Sequence, residues 1–197
     1  MTDQLKTQTK TTPFYLASSS PQRVRLLQQE GYTFSTISHG IEEPPPGGDG
    51  WEYALLNARI KALGGVSKLK EGLVVGADTI VLYRGKILGK PDSLEEAVAM
   101  MGELQGTSHL ILTGICLVKA PDQILVEEVV ESKVEMDPLT DKEIKAYLST
   151  VDHLEKAGAC DIENITFARV VEGSYANVVG FPIERFGEIY QTWIQRS

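Results

Sequence analysis

The sequence predicts a mixed α/β fold in one domain, without the strict strand–helix alternation of a doubly wound sheet. Three observations predict it. A chain of 197 residues can bury one good core but is short for two independent ones. The run LVVGADTIVLY reads as a buried strand that follows a helical pattern. Two long β segments, Leu110 to Lys119 and Gln123 to Met136, then follow each other around Pro121-Asp122 and suit an extended antiparallel ribbon.

Taken in order, the polar segment MTDQLKTQTKTT, residues 1–12, is expected to be disordered, and the folded domain to occupy 13–197. FYLA is a short buried strand. Ser20 followed by Pro21 has the form of an N-cap and an N1 proline, opening a helix that stops near Gly31. Thr33 to Ser38 suits a strand, and Glu42 to Gly50 (EEPPPGGDG) is a loop that begins with two carboxylates. Trp51 to about Leu63 is helical. The strand after it is expected to be interrupted or turned near Asp78, and Arg84-Gly85-Lys86 to form a hairpin turn.

Ser93 with Glu96 forms a capping box ahead of Leu94, Ala97, Val98, Met101 and Leu104, and Gly106 ends that helix. Thr140 with Glu143 caps another. Lys156 to Asn164 reads as irregular chain, Ile165 to Val171 and Asn177 to Val179 as short strands, and the segment after Pro182 as a C-terminal helix.

Composition narrows the function. With 42% hydrophobic and 23% charged residues the chain is ordinary for a globular protein, and no apolar stretch approaches the roughly 20 residues that span a bilayer. The first residues lack the apolar run of a secretory signal, and Cys116 and Cys160 make no metal or redox spacing, so a reducing cytoplasm is expected. A net charge of -8 argues against a nucleic-acid polymer as partner but leaves room for a small polyanion in a local basic pocket.

Several residues are candidates for chemistry. Asp78 follows Leu73-Val74-Val75-Gly76-Ala77, where open α/β sheets place ligands at strand ends; a strand-ending turn Asp is the plain alternative. GKILGKP presents Lys90 between Gly and Pro, which suits an anion, but it is not a Walker A loop; an exposed turn lysine is the commoner case. LASSSPQR gathers Ser18, Ser19 and Ser20 at a helix start with Arg23 in the first turn, which suits a phosphate. An ordinary Ser N-cap explains Ser20 alone. Glu42 and Glu43, if they meet Asp78, supply the hard oxygens that Mg²⁺ prefers. Arg59 and Lys61 in NARIKA face different ways on their helix. His39, His109 and His153 are scattered without ligand spacing and read as structural or surface residues. Asn164-Ile165-Thr166 matches a glycosylation acceptor, which matters only in an exported chain.

Together, LASSSPQR, NARIKA, VVGADT, GKP, HLILTG, and EKAGA followed by NVVGFP resemble, in order, the motifs of the Maf family of nucleoside triphosphate pyrophosphatases. The resemblance implies a fold related to inosine triphosphate pyrophosphatases, with two lobes around a mixed, twisted sheet. It implies hydrolysis of a nucleoside triphosphate to the monophosphate and pyrophosphate, a divalent metal (Mg²⁺ or Mn²⁺, with Co²⁺ as a third option) and a homodimer. By position, Asp78 matches the general base, and Ser18, Arg23, Lys61 and Lys90 match residues that hold the triphosphate. Glu43, with Glu42 beside it, matches the acidic position near the metal.

Base selection is implied at Gln22, Thr79 and Glu163. Members acting on dTTP and UTP usually carry Arg, Thr and Gln there, and members acting on 7-methyl-GTP an aromatic, Gln and Glu. Thr79 therefore resembles the first group, Glu163 the second, and Gln22 neither. A Glu163 carboxylate facing the base favours a purine or modified base, since it accepts from a guanine N–H edge. The family also supplies a rival reading, a nucleotide-binding regulator of septation with little catalysis.

Overall fold

The apolar run around Asp78 is one unbroken strand in the computed structural model, which describes residues 13–152, 154 and 156–194. The expected disorder of residues 1–12 and the reading of His153 lie outside the described residues. In chain order the elements are β1 (Phe14–Leu16), α1 (Pro21–Gln29), β2 (Phe34–Thr36), α2 (Gly50–Val66), β3 (Leu73–Tyr83) and β4 (Lys86–Leu88). There follow α3 (Leu94–Leu104), β5 (Ser108–Lys119), β6 (Gln123–Met136) and α4 (Asp141–Leu148). Two 3₁₀ turns (Ala157–Ala159 and Ile162–Asn164), β7 (Ala168–Glu172), α5 (Tyr175–Val179) and α6 (Ile183–Ile194) complete the series.

The strands make one mixed sheet in the order β2-β1-β3-β5-β6-β7, with β4 beside β3. β1 pairs in parallel with β2 and β3, and the remaining pairs are antiparallel. β5 covers one edge of β3 from Leu73 to Leu82. β1, at Val74 and Val75, and β4, at Val81 to Tyr83, therefore share the opposite edge. Between them Gly76 to Ile80 face an open gap, and Asp78 lies at its middle.

Caps predicted from sequence form as local chemistry requires. Ser20 accepts from the Arg23 amide with Pro21 at the helix start, and Gly31 adopts φ 74° just beyond the end. Thr140 and Glu143 complete a reciprocal capping box. At Ser93 the box is half made: its hydroxyl accepts from the Glu96 amide, but the Glu96 carboxylate reaches the Asp92 amide instead.

Two expectations are corrected. The strand does not break at Asp78, because Gly76 and Gly114 are there to admit α2 rather than to turn the chain. A Cβ on Gly76 would lie 2.2 Å from the Ala58 carbonyl oxygen, and one on Gly114 2.2 Å from that of Ala54. Ala54, Ala58 and Ala62, four apart and fully buried, form the ridge of α2 that uses this space. The second correction concerns Asn177 to Val179, which lie in the helix α5 and not in a strand. Ser174 caps that helix, and the buried Asn177 amide donates to the Val130 carbonyl and the Ser132 hydroxyl of β6. Those long-range bonds override the β preference of Val178 and Val179.

Among the described residues the apolar side chains form four clusters, two of which frame the gap in β3. One gathers Phe14, Leu16 and Leu27 with Phe181, Phe186 and Tyr190 of the C-terminal segment. The other gathers Val81, Met101, Leu104, Ile111, Val134, Ile144 and Leu148. The gap in β3 falls between them.

Candidate active site

A cleft of about 1280 Å³ opens at the unpaired stretch of β3 and is walled by the start of α1, the Pro44–Pro46 loop, Lys90 and the segment around Asp161. Asp78 and Ile80 point to the face of the sheet covered by α2, while Thr79 points to the other face. Both faces thus contribute to one site.

On the α2 side, Lys61 Nζ lies 2.6 Å from Asp78 Oδ1 and 2.9 Å from Glu43 Oε1. The Lys61 and Asp78 side chains are only 8% and 11% exposed, so each charge relies on the other to offset its desolvation. Asn57, one turn before Lys61 on α2, donates weakly to Asp78 Oδ2 at 3.4 Å and leaves its own buried Oδ1 without a partner. Two carboxylates face one ammonium in this corner, and the Arg23 guanidinium lies close enough for both to act on its charge.

On the other side Arg23 is buried. Its guanidinium donates to the Gly180 carbonyl at 2.8 Å, to Ser18 Oγ at 3.1 Å and to Thr79 Oγ1 at 3.1 Å. Burial lowers its pKa below the ordinary value, and the charges of Asp78 and Glu43 act against that shift. The anion expected from sequence to compensate Arg23 therefore has protein substitutes, and three of its five N–H groups are engaged. Thr79 Oγ1 also lies 3.0 Å from Thr113 Oγ1. Ser20 is occupied by capping, accepting from the Arg23 amide and donating to Gln22 Oε1 at 3.1 Å.

The family described as Maf-like protein matches residues 13–193. The chain belongs to that family. Among its Maf-like relatives, the dTTP/UTP pyrophosphatase of Pelotomaculum thermopropionicum is 38% identical over 177 residues, covering 88% of this chain and 93% of that protein. The dTTP/UTP pyrophosphatase of Carboxydothermus hydrogenoformans is 39% identical, covering 91% and 97%. That of Escherichia coli (strain K12) is 40% identical, covering 87% and 88%. A solved dITP/XTP pyrophosphatase from Mycobacterium abscessus overlaps in part, with a TM-score of 0.41, 18% identity and coverage of 62% and 73%.

Of the residues singled out in this Maf-like sequence, Ser18, Ser20, Gln22, Arg23, Glu43, Lys61, Asp78, Thr79 and Lys90 line the one cleft. Glu42 and Glu163 do not. Consecutive residues of an extended loop point opposite ways, so with Glu43 turned in to Lys61, Glu42 is left at the surface. Glu163 is held by Arg25 of α1, both carboxylate oxygens on one guanidinium nitrogen, and faces a neighbouring shallow hollow with Ile165, Arg169 and Tyr175. Arg59 pairs with Glu127 of β6, which leaves Lys61 as the inward cation of NARIKA.

Asn57 and Thr113 escaped the reading from sequence, as did the Lys156–Asp161 ion pair, 2.9 Å long, at the cleft wall. Asn57 had a usable signal. It stands four before Lys61, so the two share a face of α2.

His109 is also buried, against Leu104, Ile111 and Val134 at the inner end of the cleft, and its Nδ1 has no partner. Burial pushes its pKa down to about 4. The unfolded chain takes up this proton near pH 6.5 and the folded chain only near 4, so stability falls as pH drops through that window. The expected loss is about 3 kcal/mol at its acid limit. Urea unfolding at pH 7 and pH 4.5 should show a smaller difference in His109→Leu than in the unaltered chain; equal differences would exclude His109 as the source.

Proposed function

We propose that this chain hydrolyses nucleoside triphosphates between the α- and β-phosphates, releasing the monophosphate and pyrophosphate, with UTP and dTTP as preferred substrates. The observation that carries the reading is the Lys61 ammonium bridging Asp78 and Glu43 at the open stretch of β3, in a cleft that also holds Arg23 and Lys90. The names of the Maf-like relatives support the reaction and the pyrimidine preference. Thr79 agrees with them, and Glu163, the residue that argued for a purine, is taken up by Arg25.

Phosphoryl transfer depends mainly on positioning and charge neutralisation, and the residues divide that work. Asp78 orients a water and accepts its proton as the water oxygen bonds to phosphorus and the bridging oxygen leaves with pyrophosphate. Lys61, on a flexible stem, transfers one or more of its three N–H donors from the carboxylates to the phosphate oxygens. Lys90 extends the positive wall of the cleft. Arg23 holds Ser18, just beyond β1, and Thr79 of β3 in place beside the gap.

Among the described residues no group of three or more His, Cys, Asp or Glu is clustered for a metal. Asp78 and Glu43 nevertheless fit Mg²⁺, which is commonly held by one or two carboxylates together with substrate phosphates. A cation held there, Mg²⁺ or Mn²⁺ with Co²⁺ as a substitute, would neutralise the charge of the triphosphate.

Pyrophosphate release from UTP, dTTP, CTP, GTP and ATP in the presence of each metal tests the reading. Pyrophosphate and monophosphate should appear in equal amounts, fastest from UTP and dTTP. Orthophosphate as the product would point to a phosphatase, and binding without release would favour the nucleotide-sensing regulator.

A further inference from the structure

Three polar side chains, Tyr53, Asn57 and Lys61, follow one face of α2 at intervals of four residues, each one place before an alanine of the ridge that packs on β3. Tyr53 donates its hydroxyl to the Pro44 carbonyl at 2.9 Å, next to Glu43, and Lys61 bridges Glu43 and Asp78. Both line the cleft. Asn57, between them, is fully buried and lies against Asp78.

Packing gives no reason for an amide at this place. Among the described residues its Oδ1 is buried without a partner, an arrangement that costs stability where an apolar side chain would not. What the amide supplies is a contact with Asp78. A carboxylate can only accept, so Asn57 Nδ2 donates to Asp78 Oδ2, at 3.4 Å, while Lys61 Nζ occupies Oδ1 at 2.6 Å. Oδ2 thus faces a residue sealed from solvent, and Oδ1 faces one that lines the cleft. When Lys61 turns to the phosphates, Oδ1 is released and Asn57 still holds Oδ2.

We propose that Asn57 is a positioning residue for Asp78: it holds Oδ2 in the interior, so that Oδ1 is the oxygen that takes the proton of the attacking water. This rests on the role of Asp78 as general base in nucleotide hydrolysis. As the water oxygen bonds to phosphorus and the bridging oxygen leaves with pyrophosphate, the proton passes to Oδ1. The bond from Asn57 restrains the carboxylate torsion, which is broad when nothing holds it.

Steady-state pyrophosphate release and melting temperature, measured on the same proteins, test it. Asn57→Leu removes the donor and the unpartnered acceptor together. It should lower kcat about tenfold, the usual effect of losing one hydrogen bond to a charged group, with KM unchanged and no fall in melting temperature. A residue that only supports the helix would show the reverse, a lower melting temperature with kcat kept. Asn57→Ala, too small to overpack, should show the same fall in kcat if leucine strains the site. In an Asp78→Asn chain no carboxylate remains to be aimed, so Asn57→Leu should cause no further loss.

An unchanged kcat in both Asn57 variants, a rise in KM without a fall in kcat, or a loss that multiplies with that of Asp78→Asn would overturn the assignment and leave the pyrophosphatase reading standing. Release undiminished in Asp78→Asn would remove the base, and the task of Asn57 with it. No release from the unaltered chain would overturn the nucleotide reading itself.

Discussion

Asp78→Asn should lower the rate of pyrophosphate release by about 10²- to 10⁴-fold, the usual contribution of a positioned general base. Asparagine preserves the shape of the side chain but cannot accept the water proton. Lys61 keeps Glu43 as a partner, so its ammonium is not stranded in the buried corner. Removal of one negative charge beside a bound triphosphate should leave its affinity unchanged or raise it. The loss should therefore fall on kcat, with nucleotide binding intact by titration. Release at the unaltered rate would remove Asp78 from the role given to it.

Gly76→Ala should be equally severe for another reason. The added Cβ meets backbone, the Ala58 carbonyl oxygen at 2.2 Å and the Ala62 amide nitrogen at 2.6 Å, and no rotamer can relieve it. To restore ordinary contact α2 must back away by about 1 Å. Overpacking of this kind costs about 3 kcal/mol, or roughly 10 °C in melting temperature for a chain of this size. Whatever folds will hold Asn57 and Lys61 displaced from Asp78, and a shift of about 1 Å in positioning groups can cost 10²-fold in rate. Gly102→Ala is the control: it lies inside α3 with nothing within 4 Å of its Cβ, and should be neutral or stabilising. A Gly76→Ala protein with unchanged melting and activity would show that close approach of α2 is not what assembles the site.

The same glycines mark the boundary of what sequence could reveal. Ser20, Ser93 and Thr140 were legible because a cap and its partner lie within three residues of each other. Gly76, two residues before Asp78, had no partner within a few residues: the backbone it makes room for, at Ala58 and Ala62, lies 18 and 14 residues away. Asn177 failed for a similar reason, since its amide is anchored on Val130 and Ser132, 47 and 45 residues away. The cleft residues were legible as ordered motifs, though not their distances. Glu163 shows the limit of that: its partner Arg25 is 138 residues away, and no local pattern pairs the two.

The gap in β3 also bears on solubility. Unpaired strand edges are templates for other chains, and proteins usually mask them with charge, proline or a covering segment. Here Gly76 to Ile80 leave roughly 17 Å of edge unpaired, closed at one end by β1 and at the other by β4. A foreign strand longer than about five residues runs into β1 or β4, so the free edge offers little room for pairing. The interruption keeps β3 open to a small ligand and shut to aggregation.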